Sequence, residues 1–267
     1  MDGVRQAGTV PSPARHRPAL LAAAAVALLV VPAGCGTTPS TSPPAGVDGL
    51  VAPSPDPEPA DFRDDGVVGN PWLPLAPGAE WTYAESSPLG AREVRVQVVD
   101  DDREVAGVPS VGVRTVVVVD DEAVSERWRW YAEDRAGNVW LLAEEVERDG
   151  GGLAGVWEAG VDGAPAGLVV PAVPRVGDGW VEAWVPGLAI RQVRAEDLDT
   201  PAAVPAGEYD GGLLTEVTSP VRPGEVERRV HVRGTGLVRS ERVLPPSPQR
   251  PAGATVVLAL VSFDPGR

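Results

Sequence analysis

Few residues in this chain could begin a reaction. Cys35 is its one cysteine, and His16 and His231 are its two histidines. A Ser-His-Asp triad would need His231 as its base, and no Gly-x-Ser-x-Gly elbow supplies a nucleophile. Tetrahedral zinc sites of His and Cys are excluded by count. Carboxylates are abundant, most densely in Asp100-Asp101-Asp102 and Asp120-Asp121-Glu122. Each run falls where a strand should end, a place where Asp bonds nearby backbone N–H groups. No Asp-x-Asp-x-Asp-Gly loop offers calcium its oxygens, and nothing selects a pair of carboxylates for glycoside hydrolysis. No catalytic residue, metal or cofactor is expected, and no enzymatic activity. What stands out instead is tryptophan, eight against two Phe. Alternation puts Trp128 and Trp130 on one strand face, and Trp180 and Trp184 likewise. Such faces either fill a core, each Trp burying 150–250 Å² or so, or line a groove for an acyl chain or sugar. These four are the candidate ligand-binding residues.

Cys35 has a telling context. Arg5, Arg15 and Arg17 precede thirteen apolar residues, Ala19 to Val31, and the small residues Ala33-Gly34 lead into the cysteine. A basic lead, a short apolar core and a small-residue exit describe a secretory signal. The run is well short of the ~20 apolar residues that span a bilayer. A signal ending in small-small-Cys resembles the lipobox of bacterial lipoproteins, although Pro32 stands where an aliphatic residue is usual. The resemblance implies that the Cys35 thiol receives diacylglycerol and becomes the first mature residue after residues 1–34 are removed. Two acyl chains anchor stably where one does not. The protein is thus expected at the outer face of the cell membrane, extracytoplasmic and held by lipid.

The remaining composition bounds the partners. All 23 basic residues are Arg, against 38 acidic ones, for a net charge of −15. The mature chain is more negative still, which disfavours nucleic acid and leaves membrane attachment to the lipid rather than to a basic patch. The absence of Lys beside abundant Ala, Gly, Pro and Val points to GC-rich coding, so the arginine bias reads first as codon usage. Residues 35–66 read as a Pro-rich tether, with prolines at 39, 43, 44, 53, 55, 57 and 59 among Ser, Thr and Asp. As polyproline II it would reach up to ~90 Å.

Residues 67–267 read as a single domain. Pro77-Gly78 sets a type II turn ahead of a strand bearing Trp81 and Tyr83. Period-2 alternation follows: Val94, Val96 and Val98, then Trp128 and Trp130 opposite Arg127, Arg129 and Tyr131. Asp134 to Asn138 is a turn, and Asp178-Gly179 and Asp210-Gly211 are hairpin signals. His231 is expected in solvent, opposite Val230 and Val232. Nine to eleven strands with short connections and no core helix predict an all-β fold. The expected form is an antiparallel meander making a curved open sheet, half-barrel or barrel, and a monomer.

Several motifs resemble a family of exported bacterial proteins, many of them lipoproteins, with no established activity. They are Asn70-Pro71-Trp72 with Pro74-Leu75, Pro77-Gly78, Trp81 and Tyr83; Trp130-Tyr131-Ala132 with Asp134 and Gly137-Asn138-Val139-Trp140; Trp157 to Ala164 with Pro171 to Asp178; Val204 to Tyr209; and Gly234 to Val238. The resemblance spans roughly residues 70 to 243 and carries no catalytic residues. More loosely, the meander looks like the half-barrel carriers of the bacterial envelope, which implies an apolar or lipid ligand. A structural or protein-interaction module of the envelope is the alternative.

Overall fold

A computed structural model describes residues 57–267, except 89, 102, 149–151, 186–188 and 248–252. Cys35, the signal segment and most of the expected tether lie outside the described residues. Among the described residues, no helix is long and apolar enough to cross a membrane, and one 3-10 turn, Pro59–Asp61, is the helical content. The rest is strand: β1 (Glu80–Ser87), β2 (Gly90–Val99), β3 (Glu104–Val105), β4 (Val108–Pro109), β5 (Val111–Val119), β6 (Glu122–Glu133), β7 (Val139–Arg148), β8 (Gly152–Glu158), β9 (Gly167–Val170), β10 (Gly179–Val185), β11 (Ala189–Val204), β12 (Gly207–Thr218), β13 (Val226–Val232), β14 (Gly236–Val243) and β15 (Thr255–Asp264).

Apart from the small β3–β4 hairpin, these form one antiparallel sheet. Its order is β10-β11-β12-β13-β14-β15-β1-β2-β5-β6-β7-β8, with β9 added to β7. The all-β barrel-like expectation holds, with more strands than expected because several are two to four residues long. The sheet curls until it is nearly closed, and β10 meets β9 without a ladder. The approach is tight: a Cβ on Gly167 would lie 1.8 Å from the Glu182 carbonyl oxygen. Only hydrogen at that position lets the two backbones touch.

Turn chemistry explains most connections. Gly78 has φ +76° and Ala79 N–H bonds Ala76 O at 3.0 Å, as the Pro-Gly turn requires. Asp120 and Asp121 both take positive φ, 49° and 66°. That two-residue reversal between β5 and β6 suits Asp, which tolerates the left-handed region. Two hairpin signals turn out differently. Gly211 (φ +65°) is an irregularity inside β12, and the chain reverses instead at Pro205-Ala206, between paired Val204 and Gly207. Asp178 closes a local turn by accepting from Arg175 N–H (2.9 Å) and leads into β10 without a partner hairpin. In both cases a glycine able to adopt positive φ serves a bulge or a lead-in equally well. The ambiguous stretch after Leu188 is the long strand β11, whose pairing with β12 shifts register three times.

Residues 57–66, which composition alone assigns to the tether, pack on the barrel. Phe62 is 2% exposed and bridges Asp134, while Arg63 and Gly69 N–H groups bond the Glu133 carbonyl and carboxylate. One large apolar side chain among prolines and aspartates is enough to dock the segment.

Candidate functional site

The concave face of the barrel is where register brings charge together. Pairing runs Arg129–Glu144–Trp157 across β6, β7 and β8, with Arg127–Val146–Gly155 as the adjacent row. From the other end of the sheet, a bulge between Val181 and Ala183 turns Glu182 inward beside Arg191. On β13, Arg229 pairs with Thr215 and Ser240, and Glu227 with Val217 and Arg242. Closure of the sheet then joins the two groups. Glu144 Oε2 accepts from Arg129 Nε at 2.6 Å and lies 3.4 Å from Arg191 Nη2. Glu182 accepts from Arg229 Nη1 at 2.8 Å, and Arg229 Nη2 bonds Glu227 at 3.0 Å. Ser240 donates to the other Glu227 oxygen.

The electrostatics follow from burial and sign. Burial opposes the charged form of Glu144, yet Arg129, Arg191 and Arg127 hold its carboxyl down to about 2. Glu182, also opposed by burial, is driven well below the carboxylate range by Arg229, Arg191 and Arg129. The pKa of the Arg127 guanidinium is also lowered, but for a cation that shift disfavours the charged form. Arg129 beside it, then burial, lower its guanidinium to about 10. It remains a cation at neutral pH, in a field already positive.

Apart from Glu182, these charged residues border a cavity of about 200 Å³ at one mouth of the barrel. Its wall mixes apolar groups, among them Val146, Trp157, Ile190 and Val217, with six arginines and three glutamates. Five of those arginines have an ion-pair partner: Arg129 and Arg191 with Glu144, Arg229 with Glu227, and Arg222 and Arg242 with Glu225. Arg127 has none among the described residues, and its buried Nε makes no hydrogen bond. Trp157 Nε1 is likewise buried and unpartnered. Arg191 Nε lies 3.5 Å from Glu182 Oε1 but is not aligned to bond it. A second hollow, of about 270 Å³ beside Phe62, is lined by Pro, Ala, Gly, Val and Leu and has no polar side chain to orient a ligand.

The four tryptophans expected to bind a ligand are not gathered. Trp128 and Trp130 do share a face and stack at 6.0 Å, but on the convex side of β6. There Asp101 accepts from Trp130 Nε1 at 2.8 Å and the Arg103 guanidinium lies 3.9 Å over the Trp130 ring. Trp180 is buried, its Nε1 donating to Val169 O at 3.0 Å. Trp184 stands past the β10 bulge, which breaks the expected parity, and is 45% exposed. None of the four borders either hollow. His231 also departs from expectation. Its pairing with Leu213 puts it on the concave face with Arg229, its Nδ1 is sealed from solvent, and burial first, then Arg229, lower its pKa to about 4.

The motif residues prove to be structural knots. Asp134 accepts from the N–H groups of Ala136 and Asn138, from Asn138 Nδ2 and from Trp140 Nε1. Asn138 Oδ1 in turn accepts from Ala172 N–H, and Asn70 Nδ2 donates to Gly137 O. Trp81 Nε1 and Tyr83 Oη donate to Thr235 O and Leu237 O at 2.7 and 2.9 Å. The opening motif thus ties to the last one, and the central motif to the Pro171 segment. Of the motif aromatics, Trp157 alone borders the mouth cavity.

No family model matches the chain, and no curated protein matches it. Two solved structures align with it at low similarity. One is a candidate lipoprotein from Parabacteroides distasonis ATCC 8503, with a TM-score of 0.38. The other is a candidate exported protein with a YmcC-like fold from Bacteroides fragilis NCTC 9343, with a TM-score of 0.39. Each is 11% identical and aligns over 72% of this chain and 98% of its own. Likeness at that level carries no argument about activity.

Proposed function

We propose that this protein is a lipid-anchored, extracytoplasmic binding module without enzymatic activity, held at the outer face of the membrane through diacylglyceryl Cys35. The apolar core, small-residue exit and sole cysteine support the anchor. The resemblance of its motifs to an exported bacterial family supports the extracytoplasmic location. The observation that carries the binding role is the mouth cavity: a concave, part-apolar space with convergent polar groups is the usual form of a small-molecule site. Its carboxylates are suited to holding structure rather than to moving protons. A general acid or base works best with a pKa near the operating pH, and Glu144, at about 2, is far from it. Native mass spectrometry of the protein purified from its own membranes tests the reading. A co-purifying small molecule is expected, and its absence across mild conditions refutes the binding role. A Cys35→Ala variant that still partitions with membranes at unchanged mass refutes the anchor.

Trp184 favours a second reading, a protein-interaction module. It is 45% exposed on β10, and tryptophan is among the side chains that most often anchor protein interfaces. If Trp184→Ser leaves crosslinked partners unchanged, that reading fails.

A further inference from the structure

We infer that the mouth cavity is an oxyanion site, taking the carboxylate or phosphate group of its ligand on Arg127, with Trp157 Nε1 and Arg191 Nε as further donors. The inference rests on reading this cavity as the binding site and adds the chemistry of what enters it. Among the described residues, five buried side-chain nitrogens have no hydrogen-bond partner, and three of them (Arg127 Nε, Trp157 Nε1, Arg191 Nε) belong to residues of this one wall. A buried donor left unmade costs roughly 1–3 kcal/mol, more when charged. Three such groups on one cavity are explained together by a ligand that accepts and does not donate.

Charge points the same way. The whole chain carries −15, yet the cavity wall holds six arginines and three glutamates. Adding Glu182 beneath them still leaves a positive surplus. Register provides room beside Arg127, since its cross-strand neighbours are Val146 and then Gly155, which has no side chain. Arginine suits the task, presenting a planar fork to two oxygens of one oxyanion. The apolar part of the wall, Val146, Ile190 and Val217, can accommodate a short hydrocarbon attached to that group.

The test is a titration of the ¹⁵N-labelled full-length chain followed at the Trp157 indole N–H, assigned by its loss in Trp157→Phe. The probes are hexanoate, hexanol as its neutral counterpart, and inorganic phosphate. Hexanoate or phosphate is expected to move that signal, hexanol to bind roughly tenfold or more weakly, and Arg127→Met to abolish the preference. Hexanoate without phosphate would indicate an amphiphile's head group; both together, a free oxyanion. Arg127→Met should retain a thermal midpoint at or above that of the parent, because it removes a cation that has no partner. If it does not fold, Trp157→Phe, which keeps the ring and loses the donor, takes its place, with the Arg127 Nε–H signal as readout. Hexanol binding as well as hexanoate, or an anion preference that survives both variants, overturns the oxyanion assignment and leaves the cavity a binding site. No response to any probe at about 10 mM, where a millimolar site would fill, overturns both.

Discussion

Replacing Glu182 by Gln should expose how far the charge network supports the barrel. The carboxylate is 3% exposed and sits between Arg229 and Arg191, whose side chains are 17% and 18% exposed. Neutralising it leaves two guanidiniums facing each other with little water to screen them. Glu144 provides a scale: holding a carboxyl at about 2 rather than 4.5 corresponds to about 3 kcal/mol at 1.36 kcal/mol per pKa unit. Glu182 is more deeply buried and has the same kind of partners, so a loss of about 3–5 kcal/mol is expected, the usual cost of breaking a buried pair. With a urea m-value of about 2 kcal/mol/M, the midpoint should fall by about 2 M at pH 7, read by tryptophan fluorescence. Because the folded carboxyl is depressed, its contribution is complete above the unfolded pKa near 4.5 and is lost as pH falls toward the folded value. The gap between parent and Glu182→Gln should therefore narrow below pH 4.5. Glu182→Gln/Arg191→Met should recover part of the loss by removing one of the two guanidiniums, since Glu144 keeps Arg129 as its partner. A deficit under about 1 kcal/mol that does not vary with pH would refute the reasoning, since it would equate the network with solvent-screened surface pairs.

Three further outcomes are expected. His231 stays neutral to about pH 4 when folded but protonates near 6.5 when unfolded, so stability should drop by about 3 kcal/mol in all as pH falls through that window. His231→Phe should flatten the stability profile between pH 6.5 and 4.5 in equilibrium denaturation. Gly167→Ala would drive a methyl group into the Glu182 carbonyl; a cost of about 2 kcal/mol and a fall in thermal midpoint of roughly 4–8 °C should appear in calorimetry. Asp134→Ala strands the Trp140 indole and the turn N–H groups and should cost about 3 kcal/mol, with earlier hydrogen exchange at Ala136 and Asn138.

The fold class was legible because alternation is local. Val94, Val96 and Val98 announce a half-buried strand whatever lies beside them, and Pro77-Gly78 names its turn type from two residues. Positive-φ signals were less decisive. Gly211 and Gly179 permit a reversal without requiring it, and which glycine turns the chain depends on the partner strand. Tryptophan parity held on β6 and failed on β10, where one bulged residue moves Trp184 to the other side.

The site was half-visible. Alternation puts Arg127 and Arg129 opposite the Trp128–Trp130 face, but in a chain whose basic residues are all arginine their charge reads as codon usage. Glu144 between Ala143 and Glu145, and Glu182 within Trp180-Val181-Glu182-Ala183-Trp184, are carboxylates on strands rich in apolar residues; that anomaly was the available signal. By itself, the sequence determined the antiparallel meander and the negative charge of the whole chain, since each depends on order or composition along the chain. Only the tertiary structure decided that the convex face carries Trp128 and Trp130 while the concave one carries a basic, incompletely paired cavity. That outcome depends on curling the sheet until β7 meets β10 and β11, a closure between strands some forty residues apart that no local pattern encodes.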